Sequence, residues 1–164
     1  LVKTMKEEVC YVAAEPSKEE EAASSQAQYQ LPDGQVVSLE AERFRAPEVL
    51  FRPDLVGSEE IGVADVLINS VMKSDLDFRS TLFEQVVLAG GSTLIPGFGE
   101  RILHEVRQQA PAHTRIRIFS PPERMNSAWI GGSILASLAT FKSMWVSRAD
   151  YEENGTSLLH RKAL

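Results

Sequence analysis

The residues best placed to do chemistry sit at one corner of the chain, Val86-Val87-Leu88-Ala89-Gly90-Gly91-Ser92-Thr93-Leu94-Ile95-Pro96-Gly97. Three apolar residues, two of them β-branched, read as a short buried strand. Ala89 and the Gly90-Gly91 pair then remove side-chain bulk where the strand ends. Pro96 and Gly97 punctuate the turn, and Phe98, Ile102, Leu103 and Val106 recur at helical spacing over 98–109. Strand, bare turn and helix let a ligand's phosphate or base come close, because nothing projects from Cα and the amides are free to donate. The corner has neither the Gly-Lys-Ser/Thr of a Walker loop nor a Gly-x-Gly-x-x-Gly. Spacing alone therefore leaves two readings: a nucleotide contact, or simply a tight β-to-α corner.

Other chemistries find little support. His104, His113 and His160 are far apart, with no i,i+4 partner and no nearby cysteine pair, which argues against zinc. No Gly-x-Ser-x-Gly elbow is present for a serine nucleophile. Glu19 to Glu21 and Glu152-Glu153 are runs of the solvated kind, not paired acids in a cleft. No catalytic residue and no metal ligand is nominated. A net charge of -6 without a basic block argues against binding a nucleic-acid backbone. No apolar run is long enough to span a bilayer, so membrane insertion is not expected, and the amino terminus lacks a signal-peptide pattern. Leu1-Val2-Lys3 also lacks an initiator Met, which reads as a piece of something longer. The single Cys10 forbids an internal disulfide and suits a reducing compartment; flanked by Val9 and Tyr11, it is expected to be a buried, inert thiol.

The elements that must position the corner follow from pattern. Lys3 to Glu8 reads as the last turns of a helix, and Cys10 to Ala14 as a strand. Glu15 to Gln28, with Pro16 and its charge run, reads as a solvated loop. Tyr29 to Leu39 around Pro32-Asp33-Gly34 is a hairpin signal. Pro47 is expected to open a short helix. Arg52 to Gly62 is a loop with an apolar tip at Leu55-Val56. Val63 to Lys73 carries a helical stripe, and Ser74-Asp75 restarts the chain as a cap. Arg115 to Phe119 alternates as a strand with one wet face. A helix is expected from Asn126 to Met144, with Gly131-Gly132 tolerated because another backbone comes close.

Several long runs resemble actin: Ala128 to Leu138, the Leu31-Pro32-Asp33-Gly34 hairpin, Glu42-Arg43-Phe44-Arg45, Leu88-Ala89-Gly90-Gly91 and His160-Arg161-Lys162. They occur in order over essentially the whole chain. Departures at Phe44 to Glu48, Leu50 to Leu55, Gly91 to Leu94 and Lys142 to Ser147 resemble the centractin subfamily, the actin-related proteins of the dynactin filament. The resemblance implies an α/β, ribonuclease H-like actin ATPase fold, of which this is the carboxy-terminal part. Residues 1–58 would belong to the small outer subdomain, 59–126 to the larger inner subdomain, and 127–164 to the opposite lobe.

The resemblance further implies ATP or ADP with Mg as cofactor in the intact parent. Lys6 and Glu7 would contact the adenine and ribose side, with Lys3 nearby. Gly90, Gly91 and Ser92 would line the adenosine and phosphate cleft, and Leu94, Ile95 and Met125 would flank the base. Actin has an aromatic where Ile95 stands and a lysine where Met125 stands, so weaker recognition of the base is expected. The phosphate hairpins and metal-orienting aspartates of that family would precede Leu1, so a slow ATPase is expected of the parent and no hydrolysis of this piece. Ile130, Ile134, Leu135, Leu138, Thr140 and Met144 match the groove that takes partner helices, and Leu55 and Val56 match a filament-contacting loop. Implied partners are further copies in a filament, dynactin subunits and dynein adaptors, in the cytoplasm and its cytoskeleton. The alternative is a non-polymerising actin-related interaction module, for instance in chromatin remodelling; a sugar-kinase or chaperone ATPase fits the actin-like runs less well.

Overall fold

The computed structural model describes residues 1–21 and 26–162, the Glu21 side chain excepted, and divides into two units, Leu1–Met125 and Asn126–Leu164. In the first unit, α1 (Val2–Val9) and α2 (Pro16–Glu21) precede the hairpin β1 (Ala27–Gln30) and β2 (Val36–Leu39). Helix α3 (Glu42–Glu48), a 3-10 turn at Pro53–Val56, α4 (Val63–Lys73) and α5 (Leu76–Glu84) follow. Strand β3 (Val86–Val87), a second 3-10 turn (Gly91–Leu94), α6 (Phe98–Gln109) and β4 (Ile118–Phe119) complete the unit. β1 and β2 pair antiparallel with Tyr29 opposite Val37, while β3 and β4 pair parallel with Val87 opposite Phe119. The core gathers one face of each of three helices: Ile68 and Val71 of α4, Phe83 of α5, and Phe98, Ile102 and Val106 of α6. Val12 and Phe51, from connecting segments, close it. The i, i+4 spacing of Phe98, Ile102 and Val106 puts all three on one helix face, which is why α6 spans the stripe read from sequence.

Four local expectations are corrected. Cys10 to Ala14 is not a strand, because its backbone bonds go to two different elements: Tyr11 N–H donates to the Arg43 carbonyl (3.1 Å) and Val12 N–H to the Pro96 carbonyl (2.8 Å). Pro47 lies in the last turn of α3 and does not open it. Lacking an amide, it leaves the carbonyl four residues back, that of Arg43, available, and Tyr11 takes it. Part of the expected loop after Glu15 is helix α2, where Glu19 accepts from the Tyr11 hydroxyl and Glu20 pairs with Arg45. Residues 22–25 of that loop lie outside the described residues. The strand expected over 115–119 is paired only at Ile118–Phe119, yet its alternation holds: Arg115 and Arg117 are exposed, Ile116 and Ile118 half-buried.

The second unit contains α7 (Ser127–Ser137), a 3-10 segment (Ala139–Met144), α8 (Arg148–Asn154) and α9 (Thr156–Lys162). The single helix expected over 126–144 stops at Ser137, and Leu138 is extended. Ser137 Oγ donates to the Ser133 carbonyl (2.8 Å), competing within the last turn for a backbone acceptor. Within the second unit no neighbouring segment comes within 4 Å of a Cβ placed on Gly131 or Gly132, so that unit does not itself supply the close backbone expected there. Ser147 caps α8 in a reciprocal box with Asp150.

Candidate functional site

The glycine corner is fixed from three sides. Strand β3 enters it on ladder bonds to β4: Val86 N–H donates to the Arg117 carbonyl (3.2 Å), and Leu88 N–H to that of Phe119 (2.9 Å). Gly90 adopts φ +91 and ψ 157, a backbone that side chains with a Cβ rarely adopt. Its amide donates to the Arg124 carbonyl (2.8 Å), so at this glycine the donor is spent inside the protein, contrary to the expectation that the corner's amides are free. Gly97 turns the chain into α6 at φ +82, and a Cβ there would meet the Val12 carbonyl oxygen at 2.1 Å. The glycine demanded by space is therefore Gly97, while no described atom lies within 4 Å of a Cβ on Gly90.

Arg124 is the positioning residue that sequence reasoning missed. Its Nε donates to Thr93 Oγ1 and its Nη2 to the Thr93 carbonyl, both at 3.0 Å, while Nη1 reaches the Pro121 carbonyl at 3.0 Å. Thr93 in turn bonds the Gly90 carbonyl through Oγ1 (2.8 Å). Side chain and main chain of Arg124 together staple the segment carrying Met125 onto the Gly91–Leu94 turn. The only sequence signal was its place between the Pro121-Pro122 break and Met125.

The staple creates a hollow of about 260 Å³ lined by Glu7, Gly91, Leu94, Ile95 and Met125. Gly90 adjoins this lining, and Ser92 is exposed in the same turn. Glu7 supplies the lining's one ionisable side chain. Lys3 sits one turn earlier on α1, its Nζ 3.9 Å from Glu7 Oε1 with both side chains exposed. Lys6 faces elsewhere: it lines a separate apolar hollow with Met5, Val9 and Cys10, since neighbouring helix positions point about 100° apart. Cys10 is a free, buried thiol there, with burial pushing its pKa up against the lowering charges of Arg43 and Lys6. Chemically, the Glu7 hollow offers aliphatic carbon for a flat apolar ring and a carboxylate for hydroxyl or amine donors.

The remaining predicted residues lie elsewhere. Leu55 and Val56 are exposed on the Pro53–Val56 turn, which Gly57 ends at φ +74. In the second unit, Ile134, Leu135, Leu138, Thr140 and Met144 are exposed and Ile130 is half-buried. Among the described residues no group of three or more His, Cys, Asp or Glu is arranged to hold a metal, and no helix is long and apolar enough to cross a membrane.

Helices with small two-stranded sheets, and a glycine corner beside an apolar hollow, are those of a mixed α/β protein. The family model for actin matches residues 1–164, the whole of the sequence, and the chain belongs to the actin family.

Proposed function

We propose that the Glu7 hollow takes the adenosine end of ATP or ADP, and that the protein serves as a nucleotide-clamped filament subunit of the centractin type. The observation that supports this most is the convergence of Glu7 from α1 with Gly91, Leu94, Ile95 and Met125 from two later segments on one cavity. Its volume of about 260 Å³ suits a base and part of a sugar. Leu94, Ile95 and Met125 give the base apolar contact, while the Glu7 carboxylate accepts from ribose hydroxyls. A carboxylate repels phosphate, so the phosphates lie outward along the Gly90–Ser92 backbone. Mg entering with the nucleotide would supply countercharge to those phosphates, and among the described residues no group of three or more His, Cys, Asp or Glu is arranged to hold it. Lys6 lines its separate hollow and takes no part in this contact.

With ATP bound, further copies of the protein join through the Leu55-Val56 turn, and the Ile130 to Met144 face receives partner helices of a dynactin-like assembly serving dynein-driven transport along microtubules. A fluorescent ADP analogue titrated into the chain should bind saturably and be displaced by ATP, and Glu7→Gln should weaken it by about tenfold. Absence of saturable binding refutes the nucleotide reading. Sedimentation with and without ATP tests the filament reading separately: a persistent monomer favours the non-polymerising interaction module.

A further inference from the structure

The residues lining the Glu7 hollow divide by chemistry. Leu94, Ile95 and Met125 present carbon, apart from the weak thioether acceptor of Met125, and Gly91 has no side chain. Glu7 is the one lining residue whose side chain forms strong hydrogen bonds, and as a carboxylate it accepts and does not donate. Main-chain groups of the corner are engaged inside the protein. The Gly90 amide bonds the Arg124 carbonyl, and the Gly90 carbonyl accepts from the Thr93 amide and hydroxyl. The Thr93 carbonyl accepts from Arg124 Nη2, and that of Ile95 from the Phe98 amide. The Lys3 ammonium beside Glu7 ends a side chain 82% exposed, a hydrated point charge with no fixed direction. Leu94 is 39% and Met125 64% exposed, so a flat ring laid on them keeps its polar edge in water.

We propose that the hollow selects its ligand by the sugar and not by the base, taking purine ribonucleotides of adenine and guanine alike through the ribose hydroxyls on Glu7. This rests on the nucleotide reading above and adds its specificity. The two donors of a ribose diol match the two oxygens of one carboxylate. A site that hydrogen-bonds a ligand's hydroxyl rejects the analogue lacking it, whereas apolar walls discriminate weakly between ligands of similar shape. Adenine and guanine share one fused-ring skeleton and differ in the groups on their polar edge. Here that edge meets water in either case, and the hollow of about 260 Å³ accepts both rings.

Calorimetric titration of the 164-residue chain with ADP, GDP and 2′,3′-dideoxyADP tests this. ADP and GDP should bind within about tenfold of each other. The dideoxy compound should bind about tenfold more weakly than ADP, having lost its hydrogen bonds to a charged acceptor. Glu7→Ala should erase the difference between ADP and the dideoxy compound while leaving the ratio of ADP to GDP as it was. The Glu7 side chain is 58% exposed, so circular dichroism should find this variant folded. Leu94→Ala, on the apolar wall, gives the converse reading: ADP and GDP should weaken by the same factor, and the preference for ribose should persist. Absence of saturable binding by all three compounds refutes the nucleotide reading itself and this inference with it. Saturable ADP binding with a larger gap between ADP and GDP, in either direction, leaves the nucleotide reading standing and overturns the indifference to the base. Equal affinity for ADP and the dideoxy compound, or a ribose preference that survives Glu7→Ala, overturns selection through Glu7.

Discussion

Gly97→Ala should be among the most damaging single-methyl additions in the first unit, and Gly34→Ala isolates the reason. Both glycines have positive φ, +82 at Gly97 and +88 at Gly34. An L-residue in that region costs about 1–2 kcal/mol, which both variants incur. Only Gly97 also lacks space. Its new Cβ would lie 2.1 Å from the Val12 carbonyl oxygen and 3.2 Å from that carbonyl's carbon, whereas no described atom lies within 4 Å at Gly34. Relief requires the two backbones to part by about 1 Å, which breaks the 2.8 Å bond from Val12 N–H to the Pro96 carbonyl. Val12 is 3% exposed, so water cannot replace that partner, and the loss adds about 1–3 kcal/mol. Gly97→Ala should therefore cost about 4 kcal/mol and Gly34→Ala about 1. With a urea slope of about 2 kcal/mol per molar, midpoints followed by far-ultraviolet circular dichroism should fall by about 2 M and about 0.5 M. Amide exchange at Val12 should accelerate in Gly97→Ala alone. Equal midpoint losses in the two variants would refute the close-approach argument and leave only the dihedral cost.

Other consequences follow from the same contacts. Glu48→Ala should destabilise the first unit by about 3 kcal/mol, since it strips two hydrogen bonds from a guanidinium that stays buried beside Glu105. Chemical denaturation should find Glu48→Leu/Arg101→Met closer to the parent than the single variant, because no unpaired guanidinium stays buried and the Glu105 carboxylate it releases is a quarter exposed to water. Burial first, and then the Glu19 carboxylate accepting its hydroxyl, pushes the Tyr11 phenol from 10.0 up to about 12. A raised phenol pKa means the folded state holds the proton more tightly. The resulting stabilisation is full below pH 10 and is lost as pH rises through about 12. Ultraviolet titration should show one phenol with that midpoint, and Glu19→Gln should lower it. Ser147→Ala should cost about 1 kcal/mol by removing the cap that accepts from Asp150 N–H, read as reduced helical signal and a lower melting temperature.

By itself the sequence determined whatever depends on near neighbours. The periodic stripes of Val63–Lys73 and Phe98–Gln109 each became a helix over the same residues, because spacing of three and four decides which face is apolar. Leu31-Pro32-Asp33-Gly34 set its hairpin for the same local reason, since Gly34 supplies the positive φ of the turn. The strand-turn-helix order of the glycine corner was equally legible, and the actin-like runs carried the family. Tertiary structure alone decided which corner glycine is required by space, because the obstruction comes from Val12, far away in sequence. It alone showed that Pro47 can sit inside a helix, since Tyr11 takes the carbonyl left free. It alone turned Glu7 toward the hollow and Lys6 away, and drew Arg124 and Arg101 into their roles. Such pairings join segments 31 to 88 residues apart, and no local periodicity encodes a partner at that distance.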